Sequence, residues 1–547
     1  MHNATTAADV SYYDYIVIGG GTAGCPLAAT LSENYSVLVL ERGGSPYGNP
    51  SISNLGAFGA ALSDTSPTSP AQRFISQDGV INSRARVLGG GSCLNAGFYT
   101  RASPQYVREA GWDGRVVNES YEWVEKIVAF EPQMKQWQSA VRDGLLEIGV
   151  LPNNGFTYDH IDGTKVGGTI FDHNGFRHTA ADLLEYANPA RITVLLDATV
   201  HRILFRVKDG SKPMAHGVVF RDSLGRRHKA YLRRDPKNEI IVSAGALGSP
   251  QLLMLSGVGP AEHLRAHNIR ITLDQPLVGQ GMSDNPMNAI FVPSPIPVEV
   301  SLIEVVGITS FGSYIEAASG ENFAGGSPRD YGMFSPKIGQ LSRVPPKERT
   351  PEALEKATKQ MENLEQAAFR GGFILEKIMG PISSGHLELR TRNPNDNPSV
   401  TFNYFQDPRD LERCVKGLGT IEKIIESKAF SPFRYQNMPL SVLLNMTASS
   451  PVNLLPKHTN SSLSLEQYCR DTVMTIWHYH GGCQVGRVVD RNYKVLGVDA
   501  LRVIDGSTFN YSPGTNPQAT VMMLGRYMGV KILSERLGAA AADETEQ

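Results

Sequence analysis

Cysteine is scarce, five in 547 residues and no C-x-x-C pair. That is too few for a disulfide scaffold and the wrong spacing for a structural zinc site, while leaving room for one or two disulfides. Charge excess is missing as well: 52 basic against 54 acidic residues leave a net −2, which predicts no polyanion-seeking surface and no nucleic-acid partner. No uninterrupted apolar run approaches the roughly 18 residues that cross a bilayer, so no transmembrane helix is expected. Internal repeats and low-complexity blocks are absent, which excludes repeat architectures. No apolar segment of signal-peptide type follows Met1, so any such peptide is expected to have been removed. What remains is an ordinary soluble globular composition, 41% hydrophobic and 19% charged. The chain is too long for one core and predicts two or more domains, or one with a large insertion.

Glycine, by contrast, is placed with purpose. Tyr15-Ile16-Val17-Ile18 runs into Gly19-Gly20-Gly21-Thr22-Ala23-Gly24, then an apolar helix-like stretch, then Val37-Leu38-Val39-Leu40-Glu41. Strand, glycine turn, helix, strand and acid in that order make a dinucleotide fingerprint. Gly19 permits the tight turn, Gly21 lets backbone approach a pyrophosphate, and Gly24 lets helix and strand pack closely. Free N–H groups and the positive dipole end at the helix start favour the phosphates, and Glu41 can accept from the ribose hydroxyls.

A Gly/Pro/Ser-rich stretch to about Pro70 reads as loop. A second glycine cluster, Arg86 to Tyr99, holds Gly89-Gly90-Gly91-Ser92-Cys93-Leu94-Asn95 and brings backbone close to something flat or anionic. Tyr121 to Gly149 has helical apolar spacing. Strands are expected at 191–200, 217–220 and 239–242, the last running into a glycine turn and a helix capped at Ser256-Gly257-Val258-Gly259-Pro260. From about Pro293 to Leu465 short strands are punctuated by Pro and Gly, with one charged helix candidate at Pro351 to Gln366. The clearest strand pair there, Ser384–Arg390 and Ser399–Tyr404, alternates as a half-solvated antiparallel sheet does. The polar tail after Leu537 reads as disordered. Sequons at Asn3, Asn34, Asn118, Asn445, Asn460 and Asn510 fit a secreted glycoprotein.

Two late stretches carry the chemistry. Ile476-Trp477-His478-Tyr479-His480-Gly481-Gly482-Cys483 lacks the third and fourth ligands that would make its two histidines a metal site. Leu501 to Thr520 contains Asp505-Gly506 and ends at Asn516-Pro517-Gln518, read as an N-cap, a proline at N1 and the start of an apolar helix.

Taken together, the fingerprint, the Arg86 to Asn95 cluster, the Ala246 to Gly259 stretch and the two C-terminal segments resemble the glucose-methanol-choline (GMC) family of FAD oxidoreductases. The match spans nearly the whole chain and is similar to the plant branch that holds HOTHEAD-like proteins and the hydroxynitrile (mandelonitrile) lyases, closest to the HOTHEAD-like side. It implies an α/β fold: a Rossmann-type FAD-binding domain from residues 1–115, 166–292 and 466–538, a helical segment at 116–165, a mainly antiparallel substrate-binding domain at 293–465, and a disordered tail at 539–547. By resemblance, non-covalent FAD would be held by Gly19, Gly21, Thr22, Ala23, Gly24, Glu41, Arg42, Val87, Gly90, Gly91, Ser92, Asn95, Ala96, Gly97, Phe98, Val200, Trp477, Asp505, Gly506, Pro517 and Gln518. Leu94 stands where covalently flavinylated members have histidine.

The resemblance also places the catalytic histidine at His478, eight residues before Gly486, and the second catalytic group at Asn516, 38 residues further on, with His480 in a packing role. The lyases carry histidine at that second position. They also carry a tyrosine where Ile476 stands and an active-site cysteine with no counterpart near Tyr314 and Ile315. These departures favour oxidation of a primary alcohol, with long-chain ω-hydroxy fatty acids as the branch's suggestion, over the alternative of an (R)-hydroxynitrile lyase with structural FAD. Tyr314 and Ile476 are expected in the substrate pocket. Cys414 and Cys469 match a disulfide of the lyases, supporting an extracellular or endomembrane location and leaving Cys25, Cys93 and Cys483 as free thiols. A monomer is favoured. Removing hydride from an alcohol carbon to flavin N5 needs a neutral imidazole to take the hydroxyl proton, His478, and a donor for the oxygen, Asn516. Activity should then fall at acid pH, a profile flat from about pH 5 to 8 counting against a histidine base.

Overall fold

Tyr15–Ile18, Val37–Leu40 and Glu239–Val242 are four-residue strands, apolar but for Glu239, with every residue buried, the signature of a parallel sheet covered on both faces. In the computed structural model, which describes residues 1–64, 66–207, 210–321, 370–448, 453, 455 and 464–545, they form the centre of a six-stranded parallel sheet. Its order is His2–Asn3, Ile192–Leu196, Val37–Leu40, Tyr15–Ile18, Glu239–Val242, Leu501–Val503. Strands distant in sequence are thus side by side, and the C-terminal chemistry is delivered next to the N-terminal fingerprint. The helix candidate Pro351 to Gln366 and the sequon Asn460 lie outside the described residues.

One face of this sheet is covered by the helices Gly24–Leu31, Gly114–Val128 and Gln518–Thr545 around a core that includes Leu27, Tyr121, Val124 and Met523. Beside the parallel sheet stands a four-stranded one, Thr199–Arg206, Met214–Arg221, Arg227–Leu232 and Val10–Tyr13. The second large layer is a seven-stranded sheet ordered Met474–Thr475, Pro286–Pro293, Arg370–Ile378, Ser313–Glu321, Val305–Ile308, Gly163–Val166, Asn153–Phe156. All its pairs are antiparallel except the last. Its back is covered by Gln136–Glu147, Pro408–Glu426 and Leu465–Thr472.

Several expectations change. The antiparallel layer takes strands from 153–166, 286–293 and 474–475, so its sheet is not confined to 293–465. The span Tyr121 to Gly149 is two helices, Gly114–Val128 and Gln136–Glu147. Pro132 lies in the break, and Phe130 instead pairs with Thr169 as an antiparallel bridge. Residues after Leu537, expected to be a disordered tail, continue the last helix to Thr545, in keeping with the helix propensity of Ala539 to Ala542. The strand pair near residue 390 is Gly385–Glu388 with Ser399–Thr401, antiparallel, with Gln280–Met282 as a third strand. A disulfide joins Cys414 to Cys469, and Cys25, Cys93 and Cys483 are buried free thiols. Among the described residues no helix is long and apolar enough to cross a membrane.

Candidate active site

Gly19 ends its strand at φ +100°, and a Cβ there would sit 2.3 Å from the Ser243 carbonyl oxygen, so only glycine makes this turn. A Cβ on Gly24 would meet the Gly19 carbonyl oxygen at 2.0 Å, which is the close helix–strand approach expected of it. The turn opens onto a long cleft whose walls include Gly19, Gly21, Thr22, Ala23, Glu41, Arg42, Val87, Gly90, Gly91, Val200, Trp477, Asp505 and Gly506. Gly24 itself packs behind the cleft.

Each carboxylate at the cleft is already oriented by backbone. Glu41 is buried, accepting from Gly20 N through Oε2 at 3.0 Å and from Gly43 N through Oε1 at 2.7 Å. Burial raises its pKa, with Gly43, Arg42 and Gly20 opposing. Asp505 accepts from Gly245 N at 2.9 Å, Ser249 Oγ at 2.5 Å and Ser507 N at 2.8 Å. Arg42 donates to Gln72 Oε1 and to the Ala85 carbonyl, and burial lowers its pKa to about 10.

At its inner end the cleft adjoins a second cavity lined by Thr22, Gly91, Ser92, Leu94, Asn95, Ala96, Gly97, Phe98, Ile476, Trp477, His478, Asn516, Pro517 and Gln518. Here the two glycine clusters meet the C-terminal segments. Asn95 Nδ2 donates to Gln518 Oε1 at 2.8 Å, and Gln518 Nε2 donates to the Phe98 carbonyl at 2.6 Å. Arg177, which no sequence motif singles out, braces the same corner through Asn95 Oδ1 at 3.0 Å and the Ser92 carbonyl at 3.1 Å.

His478 follows Trp477, whose φ of +61° is a left-handed conformation costly for a bulky residue. Trp477 N donates to Thr475 Oγ1 at 2.8 Å, which helps hold that turn. The histidine ring borders the cavity, and its Nδ1 is buried with no hydrogen-bond partner among the described residues. Burial, then Lys377 and His480, push its pKa well below 6.5, against the backbone of Thr515. His480 is buried, with Nδ1 2.9 Å from the His478 carbonyl, and its backbone exchanges hydrogen bonds with Ser283.

Asn516 is buried, and its Oδ1 accepts from Lys377 Nζ at 2.9 Å and from Tyr314 OH at 3.2 Å. The helix behind it begins at Gln518, with Val521 N bonded to the Pro517 carbonyl. The amide therefore faces inward to Lys377 and does not cap the helix. Tyr314, expected in the pocket wall, is instead fully buried behind Asn516. Ile476 does line the cavity. Lys377 is a neighbour of Asn516 that the sequence pattern hides: its trace is a Glu-Lys pair inside the apolar strand Phe373-Ile374-Leu375-Glu376-Lys377-Ile378.

Family models described as GMC oxidoreductase match residues 13–287 and 381–525. The chain belongs to the GMC oxidoreductase family. It is 55% identical to Protein HOTHEAD of Arabidopsis thaliana over 97% of this chain and 90% of that one. Identity is 49% to an (R)-mandelonitrile lyase-like protein of the same plant, over 98% and 92%. To Sinalpyl alcohol oxidase Nec3 of Nesocodon mauritianus it is 43%, again over 98% and 92%. The fold matches the crystal structure of pyridoxine 4-oxidase from Mesorbium loti with a TM-score of 0.74 at 21% identity, covering 95% of this chain and 98% of that one. This GMC member is an enzyme and FAD is its cofactor. The cleft fits that group: a Cβ on Gly506 would meet nothing within 4 Å, and on Gly21 or Gly91 nothing closer than 3.8 Å, so these glycines leave a side-chain-free cradle along the wall beside Glu41.

Proposed function

We propose that this GMC oxidoreductase oxidises the CH–OH group of a primary alcohol, with His478 as base and Asn516 as hydrogen-bond donor to the substrate oxygen. The observation that carries the reading is their convergence on one small apolar cavity next to the cofactor cleft. His478 is held neutral by its surroundings, as a base must be, and takes the hydroxyl proton. Asn516 spends its oxygen on Lys377 and Tyr314, leaving its N–H groups to donate to the alcohol oxygen as negative charge develops there. Bound FAD supplies the hydride acceptor. Leu94 offers no nucleophile at the cavity wall, in keeping with a dissociable flavin.

The apolar lining by Leu94, Phe98, Ile303 and Ile476 suits an alcohol on a hydrocarbon or aromatic body, long-chain ω-hydroxy acids among them. The alcohol oxidase named among the relatives supports the reaction class. The disulfide fits an oxidising, secretory compartment, and the five sequon asparagines within the described residues are all exposed.

Anaerobic mixing of the FAD-loaded protein with benzylic and ω-hydroxy acyl alcohols tests this directly. The oxidised flavin band should bleach, and His478→Ala should slow bleaching by roughly 10²- to 10⁴-fold with FAD still bound. Cyanide release from mandelonitrile, with no alcohol bleaching the flavin, would replace this reading with the lyase.

A further inference from the structure

Lys377 lies on Arg370–Ile378, opposite Tyr314 on the neighbouring strand and opposite Met287 on the other side. Its side chain is fully buried, and Glu316 Oε2 stands 3.5 Å from its ammonium. An ammonium only donates. With Lys377 Nζ at 2.9 Å and Tyr314 OH at 3.2 Å both on Asn516 Oδ1, turning the amide over would set its NH₂ group against the ammonium and forfeit the Lys377 bond; the Tyr314 hydroxyl, which can also accept, does not choose between the two orientations.

We propose that Lys377 is a positioning residue that turns the Asn516 N–H groups toward the substrate oxygen. This positioning effect rests on the alcohol-oxidation reading; the same buried ammonium also disfavours a proton on His478, an electrostatic effect that does not rest on it. His478 is faced by Lys377, His480 and the backbone of Thr515. Lys377 is faced by Glu316, by the Tyr314 ring with its centroid 4.3 Å away, and by His160. Burial lowers the Lys377 pKa to about 8, and Glu316 opposes that fall and so favours the ammonium. Glu316 is held at the far partner, Lys377, and is not among the groups acting on His478, while the buried carboxylate of Asp284 accepts from the His478 backbone N–H.

The test uses FAD-loaded protein and two variants. Lys377→Met removes the charge. The double variant Glu316→Gln/Lys377→Met removes both members of the pair, so that no lone buried charge compromises folding. His478 is titrated by NMR of ¹³C-labelled histidine, with His478→Gln assigning the signal, and flavin reduction is followed with an alcohol that the unsubstituted protein oxidises. Expected are a rise of the His478 midpoint by about one pH unit or more and a fall in the reduction rate of about 10²-fold with a smaller change in KM. An unmoved His478 titration in a folded variant overturns the electrostatic effect, and an unchanged reduction rate overturns the positioning effect. If no alcohol reduces the unsubstituted protein, the functional reading fails instead, and the titration still decides whether Lys377 governs His478.

Discussion

At the scale of the residue, the environment of His478 changes what its chemistry predicts. A solvent-exposed imidazole would lose activity around pH 6.5, which is why the residue type alone predicts an acid decline between pH 5 and 8. Burial, Lys377 and His480 all favour the neutral ring. A base whose pKa is lowered is lost only as the pH falls through that lowered value. The kcat/KM for the alcohol should therefore stay level from pH 6.5 to neutral and decline well below 6.5. A limb centred at 6.5 would mean that the ring titrates as though in solvent. Flatness across that upper range no longer counts against a histidine base. The linked stability effect has the same direction: below 6.5 the unfolded chain takes up a proton that the folded site refuses, so this residue favours unfolding in acid.

At the scale of the element, the last helix is the piece that ties site to scaffold. Gln518–Thr545 packs across Gly24–Leu31 so closely that a Cβ on Gly525 would lie 2.3 Å from the Ala23 carbonyl oxygen and 2.8 Å from Pro26 Cγ. The backbone there cannot yield without moving the fingerprint turn. Gly525→Ala should cost about 1–3 kcal/mol by overpacking, and it should loosen FAD because Ala23 lines the cofactor cleft. Thermal denaturation with and without added FAD measures both effects, and an unchanged melting temperature would show that the helices separate freely. Elements with clear punctuation are legible in the sequence. Gly257, at φ +87°, ends the helix Gly245–Leu255 where the Ser-Gly-Val-Gly motif places it. Helical spacing alone is less informative: it continues through Tyr121 to Gly149 although Pro132 and the Phe130–Thr169 bridge divide the span.

At the scale of the whole molecule, the antiparallel layer is bound to itself by the disulfide between Pro408–Glu426 and Leu465–Thr472. The bond closes a separation of 55 residues, for which chain entropy alone assigns about 4 kcal/mol of stabilisation. Replacing both cysteines by serine should lower the denaturant midpoint accordingly, with reduction of the native protein giving a similar loss. Equal midpoints for the two forms would show that the layer's apolar core carries the stability unaided.

The order of strand, glycine turn, helix and acid determined a dinucleotide cleft, because its turn and close packing depend on backbone geometry that only glycine allows, while the fold family, the flavin and the expected roles of His478 and Asn516 came with the resemblance that these segments carry together. What the tertiary structure alone decided is the electrostatic setting. Lys377 and Glu316 lie on neighbouring strands of the antiparallel sheet, Tyr314 moves out of the pocket to stand behind Asn516, and Arg177 reaches Asn95 from a distant loop. Such contacts are made across strand register and between layers, where charge acts over a few ångströms of buried space and sequence separation carries no information about distance.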